Sequence, residues 1–298
     1  MSLLRRTVVV AASLAALLLG ASGAMAITNG QPDNGRHPYV GLMVALDKDG
    51  FPLWRCSGSE LNATVYLTAG HCTAAPAKYA VVWFAEGPVT TDPAYRAAVA
   101  ASPTGAVSCF SASFTGYPCK GDAQGTTHPE PNFCNPCGSG SVNFARHDVG
   151  VVKLDSAVSL SRYAQLPGAG LVDALPNKSP IDLVGYGVEF QAQIPGNQLH
   201  PPPPPPFQRW TGPRQRNYAP AQLVSGNFST SDEHLRVTFN PGGGSGGSCF
   251  GDSGGPNLRG GTDTVLGVNS YVNNVNCSGT GYAQRVDLPD ILNWIKSF

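Results

Sequence analysis

The chain has few charged residues and no excess of either sign. Its 298 residues include 19 Lys and Arg against 19 Asp and Glu, so that 13% are charged and the formal net charge is zero. A protein that binds nucleic acid needs a basic face, and this composition therefore argues against a nucleic-acid partner. After residue 20 the sequence also has no apolar run of the ~20 residues that span a bilayer, which argues against membrane insertion of that part.

Glycine and proline, by contrast, are abundant. The 36 Gly and 26 Pro residues predict many turns, and the chain is long enough for two medium-sized cores. Between the turn signals lie short runs dominated by Val, Ile, Tyr and Phe, which pleated sheets favour. The predicted strands are 39–46, 65–68, 79–84, 149–154, 181–184, 224–228, 235–239, 265–271 and 282–286.

Only the C-terminal end has a helical pattern. Apolar residues recur there at spacings of three and four, at Leu288, Ile291, Leu292 and Ile295. Pro289 takes an early position, which a helix tolerates. Many short strands followed by one terminal helix favour an all-β fold.

The N-terminus has the features of a secretory signal peptide. Arg5 and Arg6 supply positive charge, an apolar run follows at 7–20, and Ala-Met-Ala at 24–26 matches a small-residue cleavage site. A membrane anchor is the alternative, but the run is shorter than the ~20 residues that an anchor needs. We therefore expect residues 1–26 to be removed and the protein to be secreted.

Eight cysteines fit the oxidising compartment that secretion implies. Four of them lie in a segment at 101–141 that is rich in Gly, Pro and Ser. We interpret them as two disulfides that staple a long surface loop, while a zinc knuckle with His128 and a redox-active Cys134 and Cys137 are the alternatives. Three pairings are open, of which we favour Cys109–Cys119 with Cys134–Cys137.

Two further features have no assigned role. Six consecutive prolines at 201–206 predict a polyproline II rod of roughly 19 Å, either a stiff exposed loop or a ligand for a proline-recognition domain. The acceptor pattern for N-glycosylation occurs at Asn62, Asn177, Asn227 and Asn276, and it matters only in a pathway that glycosylates.

Three short motifs contain residues suited to acyl transfer. They are Leu-Thr-Ala-Gly-His-Cys at 67–72, His-Asp-Val-Gly-Val-Val-Lys-Leu at 147–154 and Gly-Asp-Ser-Gly-Gly-Pro at 251–256. A serine hydroxyl is a weak nucleophile that needs a base, and an imidazole with an ordinary pKa of about 6.5 suits that task. A carboxylate that accepts from the imidazole N–H fixes its tautomer and stabilises the imidazolium. A serine in a glycine-rich turn leaves backbone N–H groups free for a substrate oxyanion.

In this order the three motifs resemble those of the chymotrypsin/trypsin family of serine peptidases, over roughly residues 27–298. The resemblance implies an all-β fold of two packed six-stranded antiparallel β-barrels with a short C-terminal helix. The barrels would occupy roughly 27–160 and 161–298, with the catalytic residues in the cleft between them.

The resemblance also assigns roles to individual residues. His71 would be the general base, Asp148 its carboxylate partner and Ser253 the nucleophile. The backbone N–H groups of Gly251 and Ser253 would form the oxyanion hole. Ser270 would support Asp148 through a hydrogen bond.

Two disulfides follow from the same resemblance, Cys56–Cys72 and Cys249–Cys277. Each would hold one catalytic loop against a strand and remove freedom from the unfolded chain, which typically stabilises a protein by ~2–4 kcal/mol.

Maturation is a further expectation from the resemblance. Cleavage after Ala26 would free Ile27, whose α-ammonium would pair with the buried carboxylate of Asp252 and order the serine turn. No propeptide separates Ala26 from Ile27 in this interpretation, so we expect removal of the signal peptide to activate the protein.

The substrate pocket is expected at three residues. The resemblance places Gly247 at its base, with Val272 and Gly281 on opposite walls. No carboxylate stands at the base to select Arg or Lys, Val272 narrows one wall, and Gly281 restores some room on the other. We expect small or medium aliphatic residues such as Ala, Val and Leu before the scissile bond, as in elastases.

The sequence thus predicts a secreted serine endopeptidase that acts on polypeptides through an acyl-enzyme. We expect a monomer that needs no metal and no cofactor. A catalytically inactive binding protein on the same fold and an esterase with the same triad are the alternatives.

Overall fold

A computed structural model describes residues 27–137, 145–187, 190–191, 210–211, 213–225, 232–239, 244–272 and 277–298. The predicted signal peptide at 1–26 and the proline run at 201–206 lie outside the described residues. Among the residues that are described, no helix is both long enough and apolar enough to cross a membrane.

Six strands in the N-terminal half form a closed antiparallel barrel. The order around it is β2-β3-β4-β7-β6-β5, and β2 pairs with β5 to close the ring. The strands are β2 (Val40–Leu46), β3 (Pro52–Asn62), β4 (Val65–Thr68), β5 (Tyr79–Trp83), β6 (Ala123–Pro129) and β7 (Gly150–Leu154).

Six strands in the C-terminal half form a second antiparallel barrel, in the order β11-β12-β15-β14-β13-β8, which pairing of β11 with β8 closes. They are β8 (Pro180–Gly185), β11 (Asn217–Ser225), β12 (His234–Phe239), β13 (Pro256–Arg259), β14 (Val265–Val272) and β15 (Gly279–Arg285). Short β1 (Gln31–Pro32) extends this sheet beside β11, and β9 (Phe190–Gln191) pairs with β10 (Trp210–Thr211).

Alternating side chains build the three largest apolar clusters of the described residues. In β2, Met43 and Ala45 point into the first barrel, whereas Leu42 and Val44 belong to a cluster that also contains residues of the second barrel. A third cluster fills the second barrel. The prediction of two packed six-stranded barrels is therefore confirmed, while the division near residue 160 stays a prediction.

Three short α-helices and one 3-10 turn complete the described part of the chain: α1 (Gly70–Thr73), α2 (Pro93–Ala101), α3 (Pro289–Ile295) and the turn Val172–Ala174. The C-terminal helix α3 is confirmed, with Ile291, Leu292 and Ile295 buried. The expectation that only the C-terminus is helical is wrong because of α2. This helix buries no residue, and Asp92 caps its first turn by accepting from the N–H of Ala94 at 2.8 Å.

Three barrel strands also escaped the sequence patterns: β3, β6 and β13. β3 is interrupted by polar residues and glycine, yet it pairs with β2 on one edge and with β4 on the other. β6 lies inside the segment at 101–141 that was interpreted as a surface loop, and it pairs with β5 and β7. The predicted strand at 224–228 overlaps only the end of β11, since residues 226–228 lie outside the described part.

Candidate active site

His71 lies in the single helical turn α1, directly after strand β4. Its neighbour Cys72 is disulfide-bonded to Cys56 on β3, with 6.2 Å between the Cα atoms. The indole N–H of Trp54 on β3 donates to the carbonyl of Cys72 at 3.0 Å. Two attachments to one strand therefore hold the imidazole at the edge of the first barrel.

Asp148 lies two residues before β7 and reaches His71 with both carboxylate oxygens. The ring Nδ1 of His71 lies 2.9 Å from Oδ2 and 3.1 Å from Oδ1, and the backbone N–H of His71 donates to Oδ1 at 2.8 Å. The side chain of Asp148 is fully buried, whereas that of His71 is 27% exposed. Gly70 permits this approach, because a Cβ there would lie 2.7 Å from the Phe133 ring and 3.2 Å from Oδ1 of Asp148.

The second barrel supplies further contacts to Asp148. Ser270 on β14 donates its hydroxyl to Oδ2 at 2.5 Å. Gln284 on β15 accepts from the backbone N–H of Asp148 at 3.1 Å and donates its amide to the carbonyl of Glu233 at 3.0 Å. Sequence reasoning named Ser270 but missed Gln284, whose side chain carries no motif of its own.

The pKa values of the two groups move in opposite directions. Burial alone would raise the pKa of Asp148, but the charge and hydrogen bonds of His71 and the hydroxyl of Ser270 hold it below its ordinary range. Burial alone would lower the pKa of His71, but the carboxylate of Asp148 raises it. Each group therefore favours the charged form of the other.

The turn that contains Ser253 packs against the start of α1. The carbonyl of Ser253 accepts from the N–H of Ser57 on β3 at 2.8 Å. Gly254 has a φ of +76°, and a Cβ there would lie 2.0 Å from Oγ1 of Thr68 and 2.7 Å from the N of Ala69. Since Ala69 directly precedes α1, the fold brings the Ser253 turn and the His71 turn into contact.

Some backbone N–H groups of this turn donate hydrogen bonds within the chain, and others do not. Those of Asp252, Gly254 and Gly255 donate to backbone carbonyls at 2.8–3.0 Å. Those of Gly251 and Ser253 have no acceptor within the part of the chain that the structure describes. Two unused donors flanking one residue form an arrangement that can bind an oxyanion.

Ser57 fixes the orientation of Gly251, a contact that the sequence motifs did not predict. Its hydroxyl donates to the carbonyl of Gly251 at 2.9 Å and accepts from the N–H of Tyr186 at 2.9 Å. Gly251 itself has a φ of +95°, a conformation that favours glycine. Ser57 is fully buried, so it links β3 of the first barrel to two segments of the second.

Asp252, the residue before Ser253, is also fully buried. Its Oδ1 accepts from the N–H of Gly187 at 2.8 Å, and its Oδ2 accepts from the N–H of Cys249 at 2.9 Å. Burial raises the pKa of Asp252 to about 7, although both backbone hydrogen bonds and the charge of Arg55 lower it. No salt bridge is recorded for Asp252 among the described residues.

Ile27, the proposed partner of Asp252, is buried in the cluster of the second barrel. The next residue, Thr28, pairs with Gly247: its N–H donates at 2.9 Å and its carbonyl accepts at 3.0 Å. The start of the described chain thus lies beside the segment that leads to Ser253.

Two of the three predicted pocket residues face an aromatic ring that sequence reasoning missed. Gly247 and Gly281 both face Phe239 on β12: a Cβ would lie 2.8 Å from its Cγ at Gly247 and 1.9 Å from its Cζ at Gly281. Val272 pairs with Gly281 and packs against the apolar cluster of the second barrel, to which Phe239 belongs. The room that Gly281 was expected to restore is therefore occupied by Phe239.

All eight cysteines lie in the described residues and form disulfides, with none free. The pairs are Cys56–Cys72, Cys109–Cys119, Cys134–Cys137 and Cys249–Cys277. The zinc-knuckle alternative needs thiolates and does not fit these bonds. The same holds for Cys56, Cys72 and His71, whose ligand atoms lie within 4.8 Å of one another.

Comparisons with known proteins agree with this geometry. A family model described as Trypsin matches residues 137–295. The solved structure of HL collagenase has a TM-score of 0.59 at 17% identity, covering 93% of this chain and 96% of its own. Human heparin binding protein has a TM-score of 0.54 at 15% identity, covering 91% and 96%. At such identity these structures show the fold alone, and no curated protein matches the sequence.

Proposed function

We propose, from the premise that this chain belongs to the trypsin family, that it is a secreted serine endopeptidase with His71, Asp148 and Ser253 as its catalytic residues. The observation that carries the proposal is the alternating use of N–H groups in the serine turn, where Gly251 and Ser253 are unused within the described residues. That turn touches the start of α1, whose His71 is hydrogen-bonded to the buried carboxylate of Asp148. The proximity of the two turns supports the proposal that nucleophile, base and oxyanion donors act together.

The reaction follows from these groups. The Ser253 hydroxyl oxygen attacks the carbonyl carbon of the substrate while the imidazole of His71 takes its proton. The N–H groups of Gly251 and Ser253 hold the negative oxygen of the tetrahedral intermediate. The C–N bond then breaks, and the amine leaves with the proton from His71. Water repeats the sequence on the acyl-enzyme and releases the acid and the free serine.

Asp148 would keep this cycle running at neutral pH. Its lowered pKa keeps it ionised, so its charge stabilises the imidazolium that forms in each step. Its hydrogen bond to Nδ1 directs the other ring nitrogen toward the reacting groups. The hydroxyl of Ser270 keeps the carboxylate oriented.

We further propose that removal of residues 1–26 activates the enzyme. The freed α-ammonium of Ile27 would supply the cation that buried Asp252 lacks among the described residues, since an unpaired buried charge is costly. Ile27 has a φ of +67°, which is strained for a β-branched residue. Cleavage before Ile27 would abolish that torsion and release the strain.

The proposal includes a preference for small or medium aliphatic residues before the scissile bond. Gly247 supplies no charge, and Val272 lies beside Gly281. Faster cleavage after Arg or Lys than after Ala or Val would contradict this preference. A cleavage-site profile on a peptide library measures it directly.

A fluorophosphonate probe tests the catalytic proposal. We expect a covalent adduct on Ser253 of the secreted protein, no adduct on Ser253→Ala, and hydrolysis of peptides by the first protein alone. A folded protein that binds peptides without labelling would be the inactive binding protein, and one that labels but hydrolyses esters only would be the esterase. N-terminal sequencing of the active protein should give Ile27 as the first residue; a start well downstream would contradict the maturation step.

A further inference from the structure

Two segments of the second barrel contain residues of the proposed active site. One leads from Gly247 to Ser253, and the other continues β14 from Ser270 to Val272. The disulfide Cys249–Cys277 ties the first segment to the start of β15, and Val272 packs against this disulfide. Under the proposed function, the substrate side chain before the scissile bond enters between the predicted pocket residues Gly247, Val272 and Gly281.

Phe239 lies between two of these residues, Gly247 and Gly281. Its ring extends from the Gly247 side, where Cγ is near the backbone, to the Gly281 side, where Cζ is near the backbone. A methyl group at either glycine would overlap the ring. The ring is 1% exposed, so neighbouring atoms hold it on nearly all sides.

The two glycines therefore have a different meaning from the one expected. A glycine at a pocket wall normally leaves room for substrate, but here the missing side chains make room for Phe239. Strand β12 pairs with β15 along six residues, from His234 to Phe239, so the ring has a fixed support. A substrate side chain cannot displace it without unpacking the barrel core.

We propose that Phe239 forms the floor of the substrate pocket and limits the residue before the scissile bond to the size of Ala, with Val tolerated and Leu and Phe rejected. This inference rests on the proposed peptidase function, and it names the substrate class more narrowly than the glycines alone. Phe239 would be a specificity residue that acts by filling volume.

Matched peptide anilides that differ only in this residue (Ala, Val, Leu or Phe) test the proposal. Wild-type kcat/KM should be highest for Ala and at least about tenfold lower for Leu, since one methylene changes such ratios by roughly 10- to 200-fold. Phe239→Ala should raise the Phe-to-Ala ratio of kcat/KM by about 100-fold, and Phe239→Leu should raise it by about tenfold. The control is Leu235→Ala on the same strand, which also removes a fully buried side chain of this cluster but lies four residues away, and it should keep the wild-type profile.

Labelling of Ser253 by the fluorophosphonate separates the possible failures. If wild type and Phe239→Ala both label while their profiles agree, the role of Phe239 is refuted and the peptidase function stands. If Phe239→Ala does not fold, the profile of Phe239→Leu decides by the same criterion. If the wild type neither labels nor cleaves any anilide, the proposed function fails and the pocket assignment falls with it.

Discussion

Asp148 and Asp252 are both fully buried, and both adjoin residues proposed to be catalytic, yet their pKa values move in opposite directions. Burial raises the pKa in each case. At Asp148 the charge of His71 and the hydroxyl of Ser270 outweigh burial, and the carboxyl stays ionised. At Asp252 burial outweighs the two backbone N–H groups and the charge of Arg55, and the pKa rises to about 7.

The comparison shows that a nearby charge, more than the degree of burial, decides whether a buried carboxyl group is ionised. The Asp148 site contains its cation-forming partner within the folded chain. The Asp252 site has hydrogen bonds but no recorded salt bridge among the described residues. One site is therefore complete as it stands, whereas the other is suited to receive a cation, which we propose is the α-ammonium of Ile27.

The largest expected effect comes from removing the charge at the first site. Asp148→Asn should lower kcat by about 10⁴-fold at neutral pH, because the imidazole loses its tautomer control and its counter-charge. Asp155→Asn is the matched control, since Asp155 is an exposed carboxylate at the other end of β7, and it should leave kcat unchanged. Near-full activity of Asp148→Asn would show that another group holds His71.

A smaller loss is expected from the second site. Asp252→Asn in the mature protein should lower kcat by about 10²- to 10³-fold, the effect of losing one oxyanion donor, because the turn of Gly251 and Ser253 loses its ion pair. Mature protein with one extra residue before Ile27 should show a similar loss. Full activity of both variants would mean that the turn is ordered without this ion pair.

The pH dependence of stability sharpens the contrast. In a Ser253→Ala chain that retains residues before Ile27, the raised pKa of Asp252 contributes stability below its ordinary value of 3.8 that is lost as the pH rises through about 7. Thermal unfolding should thus show that this Ser253→Ala chain loses stability, relative to the same chain with Asp252→Asn, as the pH rises from 3.8 to about 7. Asp148 behaves oppositely, because its lowered pKa contributes stability above 3.8 that is lost as the pH falls through the folded value. A flat difference between parent and Asp252→Asn from pH 4 to 8 would contradict the contrast.

The smallest effect is expected at Ser57, which connects the two barrels at the serine turn. Ser57→Ala leaves the carbonyl of Gly251 and the N–H of Tyr186 without their partner, which should cost about 1–3 kcal/mol in the free energy of unfolding. Ser59→Ala on the same strand is the control, since its buried hydroxyl has no hydrogen-bond partner among the described residues and its loss should cost little. If urea unfolding gave equal stability for the two variants, the proposed role of Ser57 in connecting the barrels would be contradicted.

The sequence by itself determined the all-β architecture and the terminal helix, because strand and helix periods are local patterns. It also named the candidate catalytic residues, because each lies in a short motif of consecutive residues. It did not reveal α2, which buries no side chain, or β3 and β6, whose residues are too polar to form apolar runs. Those elements depend on pairing with distant strands or on a local cap.

Only the tertiary structure decided what the glycines of the pocket face. A glycine in the sequence shows that something approaches the backbone closely, but the identity of that neighbour depends on the register between distant strands. Phe239 lies on β12, far along the chain from Gly281 on β15, and the pairing of these strands brings its ring against Gly281. The same reason applies to Ser57, since its contact with Gly251 exists only because the two barrels pack together.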